Sequence, residues 1–257
     1  ITVCPSGCDY TSIQDAINDS SDHDVINIAA GTYNEHSLNP GGRIITIQGT
    51  LNGDGTLATI IDAHSSGSVF KIDSGEGTGT VIKDLKLTGG TGTVIEGSEP
   101  NGGGINFTNN SNPTISGCTI EDNTGDYSGG IYCSNSSPTI SGCTISDNSA
   151  NRGGGIDCTE SNPTISDCTI SNNNATVGGG GMYNYSSSPT LDNCTFTSNS
   201  ASYGGGGMYN LDDNSPTLTD CTFTGNSAEF DGGGMYNLES SSPALTRCTF
   251  TENSAEY

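Results

Sequence analysis

Six cysteines, Cys118, Cys143, Cys168, Cys194, Cys221 and Cys248, recur at intervals of 25, 25, 26, 27 and 27 residues, and the same neighbours travel with each of them. Thr follows every one: Thr119, Thr144, Thr169, Thr195, Thr222 and Thr249. Two positions after the Cys stands a large apolar residue (Ile120, Ile145, Ile170, Phe196, Phe223, Phe250), and five positions after it an asparagine (Asn123, Asn148, Asn173, Asn199, Asn226, Asn253). Upstream lies Pro-Thr-Ile/Leu, with Ala244 replacing Thr in the last unit, and a glycine cluster followed by Ile105, Ile131, Ile156, Met182, Met208 or Met235 opens each unit. Self-similarity at a fixed period in this range means stacked units, each burying its neighbour's apolar side chains.

Every apolar segment in the repeat is short and alternates in and out, which is the signature of a strand rather than a helix. Three short strands per turn of 25–27 residues, with no crossover helix, place each strand beside its equivalent one period later. The product is an all-β solenoid, a parallel β-helix. Ile/Leu of Pro-Thr-Ile/Leu, then Cys and Ile/Phe, then Ile/Met point inward, and like stacks on like. A leucine-rich repeat would need its Leu signature and a helical return, and a propeller would need longer strands; neither is present. Pro and Gly take the corners, and the Asn column fits a left-handed corner whose amides form a ladder from coil to coil.

Stacking explains how a chain with 30% hydrophobic residues and no Trp builds a core, and it overrides the disorder that a Gly-rich acidic composition would otherwise imply. The formal charge of −23 repels nucleic acid and anionic membranes, so neither is a partner. No apolar run is long enough to insert in a membrane. The chain opens at Ile1, and Cys4 and Cys8 sit in a short Pro/Gly loop that invites a local disulfide; both features point to an exported protein, extracellular or cell-surface, with its leader removed.

One β-helix domain is expected over 1–257, in three stretches. Residues 1–24 read as an N-terminal cap in which Ile13, Ala16 and Ile17 share one face of a short helix behind Thr11 and Ser12. Residues 25–100 read as irregular early coils, with strand-like runs at 25–29, 44–48, 59–62, 68–72 and 81–87; Leu85 and Leu87 already hold the register of the later Cys and Ile/Phe. Residues 101–257 are the regular repeats, and nine or ten coils at roughly 4.8 Å each give a rod of about 45 Å. The chain stops at Tyr257 in mid-repeat, which leads us to expect further coils or a second molecule stacked end to end.

The run Tyr10-Thr-Ser-Ile-Gln-Asp-Ala-Ile and the later Ala30-Gly-Thr-Tyr-Asn-Glu35 resemble the cap and first coil of the pectin lyase-like right-handed β-helix superfamily. The Gly206-Gly207-Met208, Phe196-Thr-Ser-Asn199, Phe223-Thr-Gly-Asn226 and Phe250-Thr-Glu-Asn253 motifs are similar to repeats of the polymorphic outer membrane proteins and related bacterial surface proteins. The resemblance spans nearly the whole chain and implies a right-handed helix, but it does not choose among the lyases, hydrolases, esterases, adhesins and spacers that share the fold.

Relatives that are lyases use a Lys or Arg base, often beside Ca²⁺. After residue 90 only Arg152 and Arg247 remain, and Arg152 stands in an outward column with Tyr127, Val177, Tyr203, Phe230 and Tyr257, where it reads as a solvated surface residue. Glycoside hydrolysis needs two carboxylates at a set separation, and Asp212-Asp213 is an adjacent acidic pair in a turn of the repeats; it reads as a hydrophilic turn. His23, His36 and His64 have no metal-ligand spacing, and the clusters at Gly178–Gly181 are corners rather than phosphate loops. No catalytic residue, metal ligand or cofactor is assigned. So acidic a surface could take Ca²⁺, yet no cage of carboxylates can be named.

Two structural columns and two surfaces remain. The column Cys118 to Cys248 could hold buried thiols or cross-coil bridges. Cys133 and Cys158 form a second column, continued by Asn184, Asn210 and Asn237, where a disulfide is preferred. Tyr132, Tyr183, Tyr209 and Tyr236, with Tyr203, Phe230 and Tyr257, are expected to form an exposed aromatic strip for sugar rings or protein. The Thr-x-Ser/Thr pairs from Thr144/Ser146 to Thr249/Thr251 resemble an ice-binding array, interrupted at Glu121. Seven Asn-x-Ser/Thr sequons, among them Asn106, Asn174 and Asn184, are candidate glycan acceptors. The expectation is therefore a non-catalytic, exported structural or adhesive β-helix, a filament subunit that binds itself end to end or an extracellular polysaccharide. A polysaccharide lyase or hydrolase, with its site in the first hundred residues or at Asp212-Asp213, is the alternative, and ice binding the second.

Overall fold

The computed structural model describes residues 1–94 and 100–256. The chain winds about a long axis as a parallel β-solenoid, with one short helix among the described residues. The first sheet contains ten strands, from Thr2–Val3 and Val25–Ile28 down to Ala244–Thr246; the second contains nine, from Gly31–Asn34 to Thr249–Thr251; the third contains seven, from Phe70–Ile72 to Met235–Leu238, all among the described residues. A fourth, narrower sheet of five strands runs from Ser149–Arg152 to Ser254–Ala255. Three strands per coil were expected; this fourth one is short and built from Ser, Ala and Asn, so it lacks the apolar alternation that marks a strand in sequence.

Register keeps like over like. In the first sheet Ile115, Ile140, Ile165, Leu191, Leu218 and Leu245 are successive partners. In the second the series is Leu87, Ile120, Ile145, Ile170, Phe196, Phe223 and Phe250. The Phe rings stack nearly parallel, Phe196 on Phe223 at 4.5 Å and Phe223 on Phe250 at 4.6 Å between centroids. Each ring thus removes its neighbour's faces from water, which is worth about 1.5–3 kcal/mol per fully buried side chain.

Helix α1, Ile13–Asp19, covers the top of this core. Ser12 caps it by accepting from the Asp15 N–H at 3.2 Å, and Ile13, Ala16 and Ile17 are buried. Glu35, from the second coil, accepts the Ile13 and Gln14 N–H groups at 2.7 and 3.1 Å, so the free N–H donors of the helix start are met by a carboxylate.

The corners are held by polar ladders. At the head of the Asn column, Asn123 accepts from the Gly90 N–H at 2.8 Å. From Asn148 to Asn253, each Asn of the column accepts, through Oδ1, from the backbone N–H and side-chain Nδ2 of the Asn one coil earlier, as Asn199 does from Asn173 at 3.0 Å for both. Its own Nδ2 reaches the preceding coil's carbonyl, Asn199 to Ile170 at 2.9 Å. These asparagines do not make the left-handed bend expected of them. The residue just before does, in Asp122, Asp147, Asn172, Ser198, Gly225 and Glu252, all at positive φ, which frees the Asn side chain to lie along the axis. A second ladder, unforeseen in sequence, runs from the Ser111 N–H to Ser136 Oγ, then Ser136 to Ser161, Ser161 to Ser187 and Ser187 to Asn214. Buried Glu76 heads it, accepting from Ser111 Oγ at 2.9 Å and from the Gly42 and Ser74 N–H groups. At Gly205 the corner demands glycine, because φ is +62° and a Cβ would sit 2.4 Å from the Met208 carbonyl oxygen.

Cys4 and Cys8 are joined by a disulfide. The six cysteines of the long column are free, and five of them are buried; Cys248, in the last coil, is half-buried. Each thiol donates to a carbonyl two residues back, such as Cys143 to Ser141 at 3.3 Å. Cys133 and Cys158 are also free, although they are register partners and fully buried. The preferred bridge between them is thereby corrected: side chains in register on adjacent parallel strands run side by side and do not offer the near-perpendicular dihedral a disulfide needs.

Candidate functional site

The outward positions of the third sheet form one line: Lys71, Asn106, Tyr132, Asp157, Tyr183, Tyr209 and Tyr236. These tyrosines were expected to be exposed. Tyr132, Tyr183 and Tyr209 are instead buried, at 7%, 4% and 5% exposure, and Tyr236 is half-buried. The reason is the glycine corner beside them. A Cβ on Gly178 would meet the Tyr209 ring at 2.7 Å, and one on Gly204 the Tyr236 ring at 2.9 Å, so each ring lies directly on glycine backbone. Tyr183 and Tyr209 stack at 5.0 Å, and Tyr209 meets Tyr236 edge-on at 5.2 Å.

The column just before the corners divides. Val177, Tyr203 and Phe230 stand out at 45%, 45% and 41% exposure, with the Tyr203 and Phe230 centroids 5.8 Å apart, and form a partly exposed apolar ridge. Tyr257 lies outside the described residues. Tyr127 stacks on Tyr132 at 6.0 Å. Arg152 is not the solvated residue expected: its guanidinium carbon lies 4.3 Å from the Tyr127 ring centre and 4.9 Å from that of Tyr183, and its Nε faces Asp157 Oδ2 at 3.5 Å.

Asp157 went unnoticed in the sequence. It takes a tyrosine's place in the line, is wholly buried, and accepts one hydrogen bond, from Thr159 Oγ1 at 3.1 Å to Oδ1. Burial pushes its carboxyl up to about 7, against the pull of Arg152 and then Thr159. The ion pair and the raised value oppose one another, and desolvation prevails because Arg152 approaches side-on. Burial, and then the nearby Asp157 charge, also raise Tyr132. A displaced carboxyl in a walled site is a mark of functional chemistry.

The other candidates are dispersed. Asp212 and Asp213 occupy a left-handed turn, with Asp212 accepting from Ser186 Oγ at 2.5 Å. Arg247 makes a two-pronged bridge to Asp220, 2.6 Å in each arm, on open surface. His23, His36 and His64 are exposed. The Thr face is in register but ends at a Lys86–Glu121 ion pair of 2.5 Å, beside a groove of about 460 Å³ also lined by Asp84 and Thr119. Asn106 and Asn184 are buried and cannot accept a glycan, whereas Asn174 is exposed. Among the described residues no three His, Cys, Asp or Glu side chains gather to hold a metal ion, and no helix is long and apolar enough to cross a membrane.

The sequence profile of the right-handed β-helix region matches residues 46–176 and 103–256. The chain belongs to this family. Among solved structures, a pectin methylesterase from Aspergillus niger superposes with a TM-score of 0.59 at 16% identity, covering 99% of this β-helix chain and 85% of that one. The pectate lyase Pel9A gives 0.57 at 11% identity, covering 100% and 78%. A pectin methylesterase mutant in complex with a hexasaccharide gives 0.56 at 12% identity, covering 92% and 80%. At these identities the likeness shows the shared pectin lyase-like fold. No curated protein sequence matches the chain.

Proposed function

We propose that the protein is a non-catalytic, exported structural and adhesive rod whose exposed ridge takes a glycan chain laid along its axis. The observation that carries this reading is the ridge itself: Val177, Tyr203 and Phe230 project from successive coils at more than 40% exposure, so one apolar or aromatic surface is offered per coil. Aromatic faces stack on sugar rings at little entropic cost. Asp157, whose carboxyl burial pushes up to about 7, is itself fully buried beside Arg152 and so has no exposed face to present to a glycan on the ridge. The resemblance of the repeats to bacterial surface proteins supports the same reading, as does the solved hexasaccharide complex of a protein with this fold.

The test is a panel of acidic and neutral glycans, with and without Ca²⁺, scored for both binding and turnover. Binding without turnover, lost in Tyr203→Ala with Phe230→Ala, is the expected result. A second reading, a polysaccharide lyase or hydrolase, draws on the groove holding Asp84, Lys86 and Glu121. Turnover abolished by Glu121→Gln would replace the first reading with it.

A further inference from the structure

One coil departs from its neighbours in two columns at once. Asp157 stands where Tyr132, Tyr183, Tyr209 and Tyr236 stand in other coils, and Arg152 stands where Tyr127, Val177, Tyr203 and Phe230 stand. The two substitutions carry opposite charges and meet, yet they meet badly. Arg152 Nε lies 3.5 Å from Asp157 Oδ2, and neither atom has a hydrogen-bond partner. The Arg247–Asp220 bridge shows what an arginine achieves when it is free to adjust, with two arms of 2.6 Å. A buried carboxylate oxygen left without a donor is costly, and a loosely held partner does not remove that cost. The walls fit a planar cation well, because the Tyr127 and Tyr183 rings both lie within 5 Å of the guanidinium carbon, at 4.3 and 4.9 Å.

We propose that Tyr127, Tyr132, Tyr183 and Asp157 form a recognition cage for the guanidinium group of a ligand, which Arg152 occupies in the ligand's absence. An incoming guanidinium directs two N–H groups at Asp157 Oδ2 and slides between the rings as Arg152 swings out. The exchange is cation for cation, so the buried carboxylate is never left alone. Arg152 is the way in: its side chain is 26% exposed while Asp157 is fully covered. The formal charge of −23 concentrates cations at the surface and favours their entry. The glycan reading of the exposed ridge plays no part in this site.

The experiment uses the full chain at pH 8 and fixed ionic strength, titrated with methylguanidinium and, separately, with Nα-acetylarginine amide, followed by calorimetry and by the ring resonances of Tyr127, Tyr132 and Tyr183. Removing the internal competitor in Arg152→Ala should tighten methylguanidinium binding roughly tenfold or more over wild type, the factor expected if Arg152 fills the cage at least nine-tenths of the time. The double variant Arg152→Ala with Asp157→Asn should not bind. Acetylarginine amide binding alongside methylguanidinium marks a side chain of another protein as the source, and methylguanidinium binding alone marks a small free cation. Should Arg152→Ala fold poorly, Arg152→Gln takes its place, read by thermal melting: a rise with millimolar methylguanidinium that is absent without Asp157 supports the cage, since this probe otherwise lowers stability. Failure of both Arg152 variants to bind, or binding that survives Asp157→Asn, overturns it.

Discussion

Asn199→Ala probes the ladder at its middle. In the native chain Asn199 Oδ1 accepts from the Asn173 N–H and Nδ2, both at 3.0 Å, while its Nδ2 donates to the Ile170 carbonyl and to Asn226 Oδ1, both at 2.9 Å. Alanine removes all four bonds. Asn173 Nδ2 keeps the Ile145 carbonyl and Asn226 Oδ1 keeps the Asn199 N–H, but the Asn173 N–H loses its acceptor and the Ile170 carbonyl its side-chain donor, both in the buried interior. At ~1–3 kcal/mol for each buried group left unmet, the loss is about 4 kcal/mol. Denaturant unfolding followed by circular dichroism measures it, with Asn174→Ala as control, an exposed neighbour whose Oδ1 accepts only from Ser200 Oγ at 2.8 Å. The control should change stability by about 0.5 kcal/mol or less. If Asn199→Ala costs no more than Asn174→Ala, the ladder is ornamental and the reasoning is refuted.

Phe223→Ala empties a place stacked on both sides, at 4.5 and 4.6 Å, and should cost about 3–5 kcal/mol, whereas Phe250→Ala in the exposed last coil should cost less; the same unfolding assay separates them. Contact with the preceding thiol, and then burial, push Cys168 and Cys194 up to about 12, so a thiol reagent at pH 8 should label half-buried Cys248 first and the rest only on unfolding. Asp157 should make the fold weaken with rising pH. Between its ordinary value of 3.8 and about 7 the folded chain retains a proton the unfolded chain has lost, so stability falls through that window, by up to about 4 kcal/mol. Asp157→Asn should flatten this part of the profile, and an unchanged slope would show that other groups set it.

The columns were legible because a coil repeats its own pattern: Cys, Ile/Phe and Asn fall at fixed offsets, and register in a parallel stack follows from period alone. The serine ladder carried the same signal, Ser111, Ser136, Ser161 and Ser187 at intervals of 25, 25 and 26, and was missed because Ser is also an ordinary turn residue. Burial of the tyrosine line was not legible. Alternation tells which side of a strand a residue faces, and not that a neighbouring glycine corner lets its ring lie flat on backbone. Arg152 and Asp157 were hidden for a different reason, since each alone reads as one exception in its own column. Only when the coils are laid over one another does a single coil show two opposite charges at once, which is the pattern that finds the cage.

In-register stacking is tested most directly by nuclear Overhauser contacts between the rings of Phe196, Phe223 and Phe250, which lie 27 residues apart in sequence at each step. The account predicts strong cross-peaks from Phe196 to Phe223 and from Phe223 to Phe250, whose centroids are 4.5 and 4.6 Å apart, and none from Phe196 to Phe250. Missing cross-peaks between successive rings would contradict it.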